Sequence, residues 1–113
     1  MHHSHVTGQN AENLALTYLQ QQNLRLVKRN FHSRFGEIDL IMEDSDSLVF
    51  VEVKHRQAGL NHAIESINYS KQQKLIKTAQ YYLLKYNLDA ACRFDAVVFD
   101  NNQIEWLKNI IIL

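Results

Sequence analysis

Asp39, Glu52 and Lys54 have the types and spacing of a phosphodiesterase site. Glu52 and Lys54 stand two apart in Val49-Phe50-Val51-Glu52-Val53-Lys54, and a strand sends residues two apart to the same face. Asp39 belongs to a second extended stretch, and if Ser45 and Asp46 close a hairpin between the two, Asp39 lies directly opposite Glu52. Like charges facing each other across a sheet destabilise it, and one carboxylate then holds a proton unless a cation intervenes. Hard oxygen donors suit Mg²⁺, which takes one or two protein carboxylates and completes its octahedron with water and substrate phosphate. An ammonium on the same face stabilises charge developing on a phosphate, and the metal acidifies water and polarises the phosphoryl oxygen. The same residues also fit a plainer description, a surface ion pair between Glu52 and Lys54 worth under about 1 kcal/mol, with Asp39 facing solvent.

Basic residues surround these positions. Arg25, Lys28, Arg29 and Arg34 precede the second strand, His55 and Arg56 follow Lys54, and Lys71, Lys74 and Lys77 recur at three-residue intervals. Cations so placed contact phosphates without reading sequence, although for each lysine alone a solvated helix face is the better account. Lys71, with Gln72 beside it, falls in the first turn of a helix, where free backbone N–H groups favour anions. Tyr81, Tyr82 and Tyr86 at helical spacing read as core rather than as base-stacking platforms, and Trp106 as core or as a contact with a second copy. His55 and His62 have no partner at a fixed spacing and read as core or solvated.

The elements that must position these residues follow from hydrophobic periodicity. Ala11, Leu14, Ala15, Tyr18 and Leu19 mark one face of a helix from about Gln9 to Gln22, capped by Thr7, with Glu12 at the border of the buried stripe. An extended segment covers Leu24 to Phe31. Gly36 opens a strand over Glu37 to Met42, with Ile38, Leu40 and Met42 on one face and Glu37, Asp39 and Ile41 on the other. Asp44 to Ser47 form a turn. In the strand Leu48 to His55, Val49, Val51 and Val53 share a face, the pattern of a central, well-buried strand. A loop at Gln57 to Asn61 leads to a short helical piece at Ala63 to Ile67. A second helix starts at Ser70, where Ser70 and Gln73 match a capping box, buries Leu75, Ala79, Tyr82, Leu83 and Tyr86, and stops at Asn87. Strands at Arg93 to Phe99 and Gln103 to about Ile111 flank a turn at Asp100 to Asn102. The order α-β-β-β-α-β-β predicts an α/β sandwich around a mostly central sheet.

The chain of 113 residues is one domain in length. Hydrophobic residues make up 46% and charged residues 21%, ordinary values for a globular protein. No apolar run approaches the ~20 residues that span a bilayer. The single cysteine, Cys92, excludes an internal disulfide, and the polar N-terminus lacks an apolar signal segment; both features point to the cytoplasm. His2, His3 and His5 read as part of a flexible tail over residues 1–7 and are given no role. A formal net charge of zero counts against bulk electrostatics as the means of holding nucleic acid and leaves room for a local basic patch.

The stretches Gly36-Glu-Ile-Asp-Leu-Ile41 and Val49-Phe-Val-Glu-Val-Lys-His-Arg56, with Ala11-Glu12 upstream and Arg93-Phe-Asp95 downstream, resemble the YraN-like family (UPF0102). That family of small bacterial proteins is grouped with the restriction-endonuclease-like (PD-(D/E)xK) superfamily and is similar to archaeal Holliday-junction resolvases. The resemblance extends from about Gly8 to Leu107. It implies one nuclease domain over residues 1–113, with a three-layer core of order α-β-β-β-α-β, a further C-terminal strand and a central mixed sheet. It implies an endonuclease acting on DNA, branched DNA among the candidates, in repair or recombination. The cofactor would be Mg²⁺ or Mn²⁺, with no small-molecule cofactor and no membrane, and the assembly a homodimer. It implies metal-ligand roles for Asp39, Glu52, the Val53 carbonyl and Glu12 and a water-assisting role for Lys54, and it supports Lys71 and Gln72 as DNA contacts beside the candidates Arg29, Arg34, His55, Arg56 and Lys74 that their position suggests. Ile38 stands where the superfamily's eponymous motif has proline. The alternative from a different class is a non-catalytic nucleic-acid-binding or assembly module with the same fold.

Overall fold

A computed structural model describes residues 8–56, 67–100 and 103–111. Its elements, in chain order, are α1 (Gly8–Gln21), β1 (Arg25–Ser33), β2 (Gly36–Asp44), β3 (Ser47–Arg56), α2 (Tyr69–Lys85), β4 (Ala91–Asp100) and β5 (Gln103–Leu107). The strands form one five-stranded sheet in sequence order, antiparallel except for the parallel pair β3 and β4. Parallel neighbours need a long crossover, and the segment carrying α2 makes it.

Alternation along the strands divides the interior in two. On one face Ala11, Ala15 and Leu19 of α1 pack on Leu40, Met42, Val49, Val51, Val97 and Phe99. On the other face Leu75, Ala79 and Tyr82 of α2 pack on Ile41, Phe50, Phe94, Ala96 and Val98. Val49, Val51, Val97 and Val98 are fully buried, so β3 and β4 form the core of the sheet, as the valine run in β3 predicts.

The two-residue connection expected at Ser45-Asp46 is present. Asp44 pairs with Ser47, Ser45 adopts φ 55°, and the register continues to Leu40 opposite Val51. Beyond that pair the pleat is interrupted. Arg29 pairs with Leu40 and Phe31 with Ile38, and the residue between the first two partners, Asn30, has φ 52°. Phe31 and Ile38 therefore both join the α2-side core, whereas Leu40 and Met42 lie on the α1 side. Ile38 does not share a face with Leu40 and Met42, as simple alternation predicts; it packs with Ile41. A left-handed asparagine on β1 and the departure of Asp39 from the ladder account for the switch.

Four further expectations are corrected. Helix α2 is capped by Asn68, not Ser70: the Asn68 side chain accepts from Lys71 N–H at 3.0 Å, and Asn68 is as good a cap as serine. Tyr81 and Tyr86 are exposed, and only Tyr82 of the three tyrosines is core. Leu14 is exposed on α1. The last strand ends at Leu107, because Asn109 turns left-handed (φ 58°) and Ile110 N–H donates to Phe94 O at 2.7 Å. This return buries Ile111 in the α2-side core, so that part of the C-terminal apolar run is covered within the chain. The stop at Asn87 is as expected, with φ 53° and Leu88 N–H donating to Leu83 O, the 6→1 bond of a Schellman end. The cap expected at Thr7, the loop at Gln57 to Asn61, His62 and residues 63–66 of the short helical piece lie outside the described residues.

Candidate metal centre

The site is built where β2 leaves β3. Past Leu40 and Val51 the ladder gives out, and the Asp39 side chain takes over: Val53 N–H donates to Asp39 Oδ2 at 2.8 Å. A carboxylate thus occupies an acceptor position at the strand edge, and its position is set by backbone rather than by a flexible partner.

Glu52 lies beside it on β3, on the same face as Phe50 and therefore on the α2 side of the sheet. It is 5% exposed, and a buried carboxylate needs compensation. Two ammonium groups supply it, both at Glu52 Oε2: Lys54 Nζ at 3.2 Å and Lys71 Nζ at 3.0 Å. Lys54 comes from the same strand. Lys71 comes from the first turn of α2, held there by the Asn68 cap. The convergence of Asp39, Glu52 and Lys54 matches the reading of the sequence, and Lys71 is drawn into direct contact with the carboxylate.

Electrostatics set the two acids apart. Burial first, and then the negative charge of Glu52, push the Asp39 carboxyl up from 3.8 to about 7, against the Val53 hydrogen bond that favours its charged form. Glu12 and Glu37 add smaller upward pushes. Among the described residues Asp39 is thus a carboxylate with no compensating cation, next to one whose charge is neutralised by lysines.

The remaining candidates divide. Glu12 accepts from Arg29 Nη2 at 2.9 Å and from Asn30 Nδ2 at 3.0 Å through the same oxygen. The φ of Asn30 lets these consecutive residues reach one acceptor. Glu12 is near enough to act on Asp39 electrostatically, but it is engaged by Arg29, and Arg29 in turn is not a free phosphate contact. Gln72 Nε2 donates to Ile67 O at 3.1 Å and serves the helix entry. His55 is half-buried, Lys74 is exposed, and Arg34 stacks on Phe35 with its guanidinium carbon 4.9 Å from the ring centroid. The Arg56 side chain lies outside the described residues. Among the described residues no three His, Cys, Asp or Glu side chains are grouped to hold a metal ion. The donors at hand are Asp39, Glu52 and the Val53 carbonyl, hard oxygens in the number Mg²⁺ takes from protein when water and phosphate complete its shell.

Asp95, the last residue of the Arg93-Phe-Asp95 motif, is elsewhere. Fully buried on the α1 face, it accepts from Arg93 Nε at 3.1 Å, Trp106 Nε1 at 2.9 Å and Asn109 N–H at 2.9 Å. Arg93 also pairs with Asp44 at 3.0 Å. This is a structural knot that ties β2, β4, β5 and the C-terminal return together. Trp106 is part of it, edge-on to Tyr18.

Asn30 and Asn68 were not singled out from the sequence, although each positions a candidate residue. The available signal was residue type: asparagine is the non-glycine residue that best tolerates positive φ and caps helices. Among the described residues no helix is long and apolar enough to cross a membrane.

A family model, that of the uncharacterised protein family UPF0102, matches residues 11–99. A UPF0102 protein of Janthinobacterium sp. (strain Marseille) is 49% identical over 107 residues, covering 94% of this chain and 87% of the relative. One from Herminiimonas arsenicoxydans is 48% identical over 108 residues (94% and 86%), and one from Nitrosomonas europaea is 47% identical over 106 residues (90% of each).

Proposed function

The chain belongs to the uncharacterised protein family UPF0102, and on that premise we propose that it is an Mg²⁺- or Mn²⁺-dependent endonuclease with a restriction-endonuclease-like fold, hydrolysing phosphodiester bonds in DNA. The observation that carries the reading is the convergence of Asp39, Glu52, Lys54 and Lys71 at one sheet end, with Asp39 left without a countercharge among the described residues. Asp39, Glu52 and the Val53 carbonyl would hold the cation. When bound, it supplies Lewis-acid polarisation of the phosphoryl oxygen and acidifies the attacking water. Lys54 then turns from Glu52 toward the reacting phosphate and stabilises the charge that develops there. Lys71 holds a neighbouring phosphate. Glu12 enters the ligand set only by giving up Arg29 and Asn30. Branched DNA as the substrate and a homodimer as the working assembly belong to the same proposal.

A second reading is favoured by one specific observation: the Glu52 charge is already neutralised by Lys54 and Lys71. On that reading the chain is a nucleic-acid-binding or assembly module without catalysis, and the lysines are structural. Titration calorimetry separates the two. The nuclease reading expects Mn²⁺ uptake that Asp39→Asn and Glu52→Gln each abolish. Absence of uptake by the wild type favours the module.

A further inference from the structure

We propose that the cleft between the β1–β2 turn and the exposed face of α2 is a subsite for an unpaired nucleobase, so that the strand entering the reaction site is single-stranded. The inference rests on the nuclease reading for its use and extends it to a substrate class.

Arg34, Phe35, Lys77, Gln80, Tyr81 and Leu84 enclose a cleft of about 370 Å³. Two of its walls are aromatic. Phe35 is half-buried beneath Arg34, and Tyr81 leans on Phe31 with ring centroids 6.1 Å apart and planes at 30°. Tyr81 remains 39% exposed, with Lys85 Nζ 5.9 Å from its centroid. Exposed aromatic faces among cations are the arrangement on which bases of single strands stack.

Charge distribution selects the occupant. The chain is neutral overall, yet the cleft holds Arg34 and Lys77 and, among the described residues, no acid. Three of the acidic residues, Glu43, Asp46 and Asp89, rim a different pocket, beside Tyr86 and Leu88. Of the two, the cleft with Arg34 and Lys77 is the one whose charge suits a polyanion.

Position links the cleft to the reaction site. Lys74, Lys77 and Tyr81 share one face of α2 at helical spacing. Lys77 lies ~9 Å along the helix axis from Lys71, at ~1.5 Å per residue. Gly36 brings the β1–β2 turn against the same helix: a Cβ added there would lie 3.7 Å from Lys74 Cβ and 3.6 Å from Thr78 Oγ1. A strand whose phosphate is held at Lys71 can therefore follow Lys74 and Lys77 and place a base on Tyr81. A base still paired in a duplex has its faces covered by stacking neighbours and cannot.

The test is fluorescence anisotropy in EDTA, which removes cleavage from the readout. The probes are a labelled oligothymidylate and a strand of equal length and charge with abasic sites throughout. Wild type is expected to bind the oligothymidylate ~5- to 150-fold more tightly, the range one stacked base supplies. Tyr81→Ala, and separately Phe35→Ala, should remove most of that preference and leave abasic affinity within about twofold. Lys77→Glu, at an exposed position, should weaken both probes. Glu52→Ala should keep the base preference. Equal wild-type affinity for the two strands, or a preference untouched by both aromatic variants, overturns the subsite. So does its loss in Glu52→Ala, which would put the base contact at the reaction site. A base preference in a protein that cleaves nothing supports the subsite and contradicts only the nuclease reading.

Discussion

Val53 N–H donates to the carboxylate of Asp39 at 2.8 Å, so the hydrogen bonding of β2 to β3 passes from backbone to side chain at the point where the candidate metal centre begins. This single bond fixes a carboxylate beside Glu52. Burial and the Glu52 charge oppose its ionisation, so the site is under electrostatic tension that a divalent cation would relieve.

That tension has a pH signature. The Asp39 carboxyl is raised to about 7 in the folded protein from 3.8. The native state therefore binds more protons than the unfolded state between those values, and stability falls as pH rises from about 4 to 7. The loss is at most a few kcal/mol, at about 1.4 kcal/mol per unit, and is reduced by the partial solvation of Asp39. Urea denaturation in EDTA should show this slope in wild type and a flatter profile in Asp39→Asn, which keeps an acceptor for Val53. Added Mn²⁺ should raise the melting temperature of wild type more at pH 8 than at pH 5. Superimposable pH profiles for the two proteins would show that Asp39 ionises freely.

The two lysines on Glu52 should separate kinetically. Lys54→Ala is expected to lower kcat by at least ~100-fold, the loss seen when one donor to developing charge is removed. Lys71→Ala should mainly raise KM and reduce the steepness of the salt dependence by about one phosphate contact. Steady-state kinetics over a salt series reads both. Equal effects on kcat would mean that the lysines act as one structural unit around Glu52.

The cap of α2 offers a stability test with a built-in contrast. Asn68→Ala removes the acceptor for Lys71 N–H and should cost about 1 kcal/mol. Ser70→Ala, inside the helix, should cost less than half of that. Thermal melts of the two variants decide, and a larger loss for Ser70→Ala would restore the capping box expected from sequence.

Asp95 should be needed for the fold and not for the chemistry. It is fully buried with Arg93, Trp106 and Asn109 as partners, and Asp95→Ala leaves the Arg93 guanidinium without one of its two carboxylates. A loss of ~3–5 kcal/mol is expected, measured by denaturation, together with unchanged metal uptake in whatever fraction remains folded.

Local patterns made much of this legible. Val49, Val51 and Val53 mark the buried face of β3, which places Glu52 and Lys54 together on the other. Ser45-Asp46 closes the hairpin and sets the register that brings Asp39 beside Glu52. What escaped depends on contacts distant in sequence. No periodicity reports that Lys71, from the next helix, reaches Glu52, or that Arg29 and Asn30 close on Glu12. Ile38 is misread because alternation assumes an uninterrupted pleat, and a left-handed Asn30 on the neighbouring strand breaks it. Tyr81 reads as core by spacing, yet among the described residues no layer covers the helix face it occupies. The strand expected to run to Ile111 stops at Leu107 because Asn109 turns the chain back toward β4.

The central claim is most directly tested by incubating the purified protein with Mn²⁺ and labelled four-way, flap, single-stranded and linear duplex DNA, with Glu52→Ala as the control. The account predicts cleavage by wild type alone, abolished by EDTA, with flap or single-stranded DNA cut in preference to linear duplex. No cleavage of any substrate, or equal cleavage by wild type and Glu52→Ala, would contradict it.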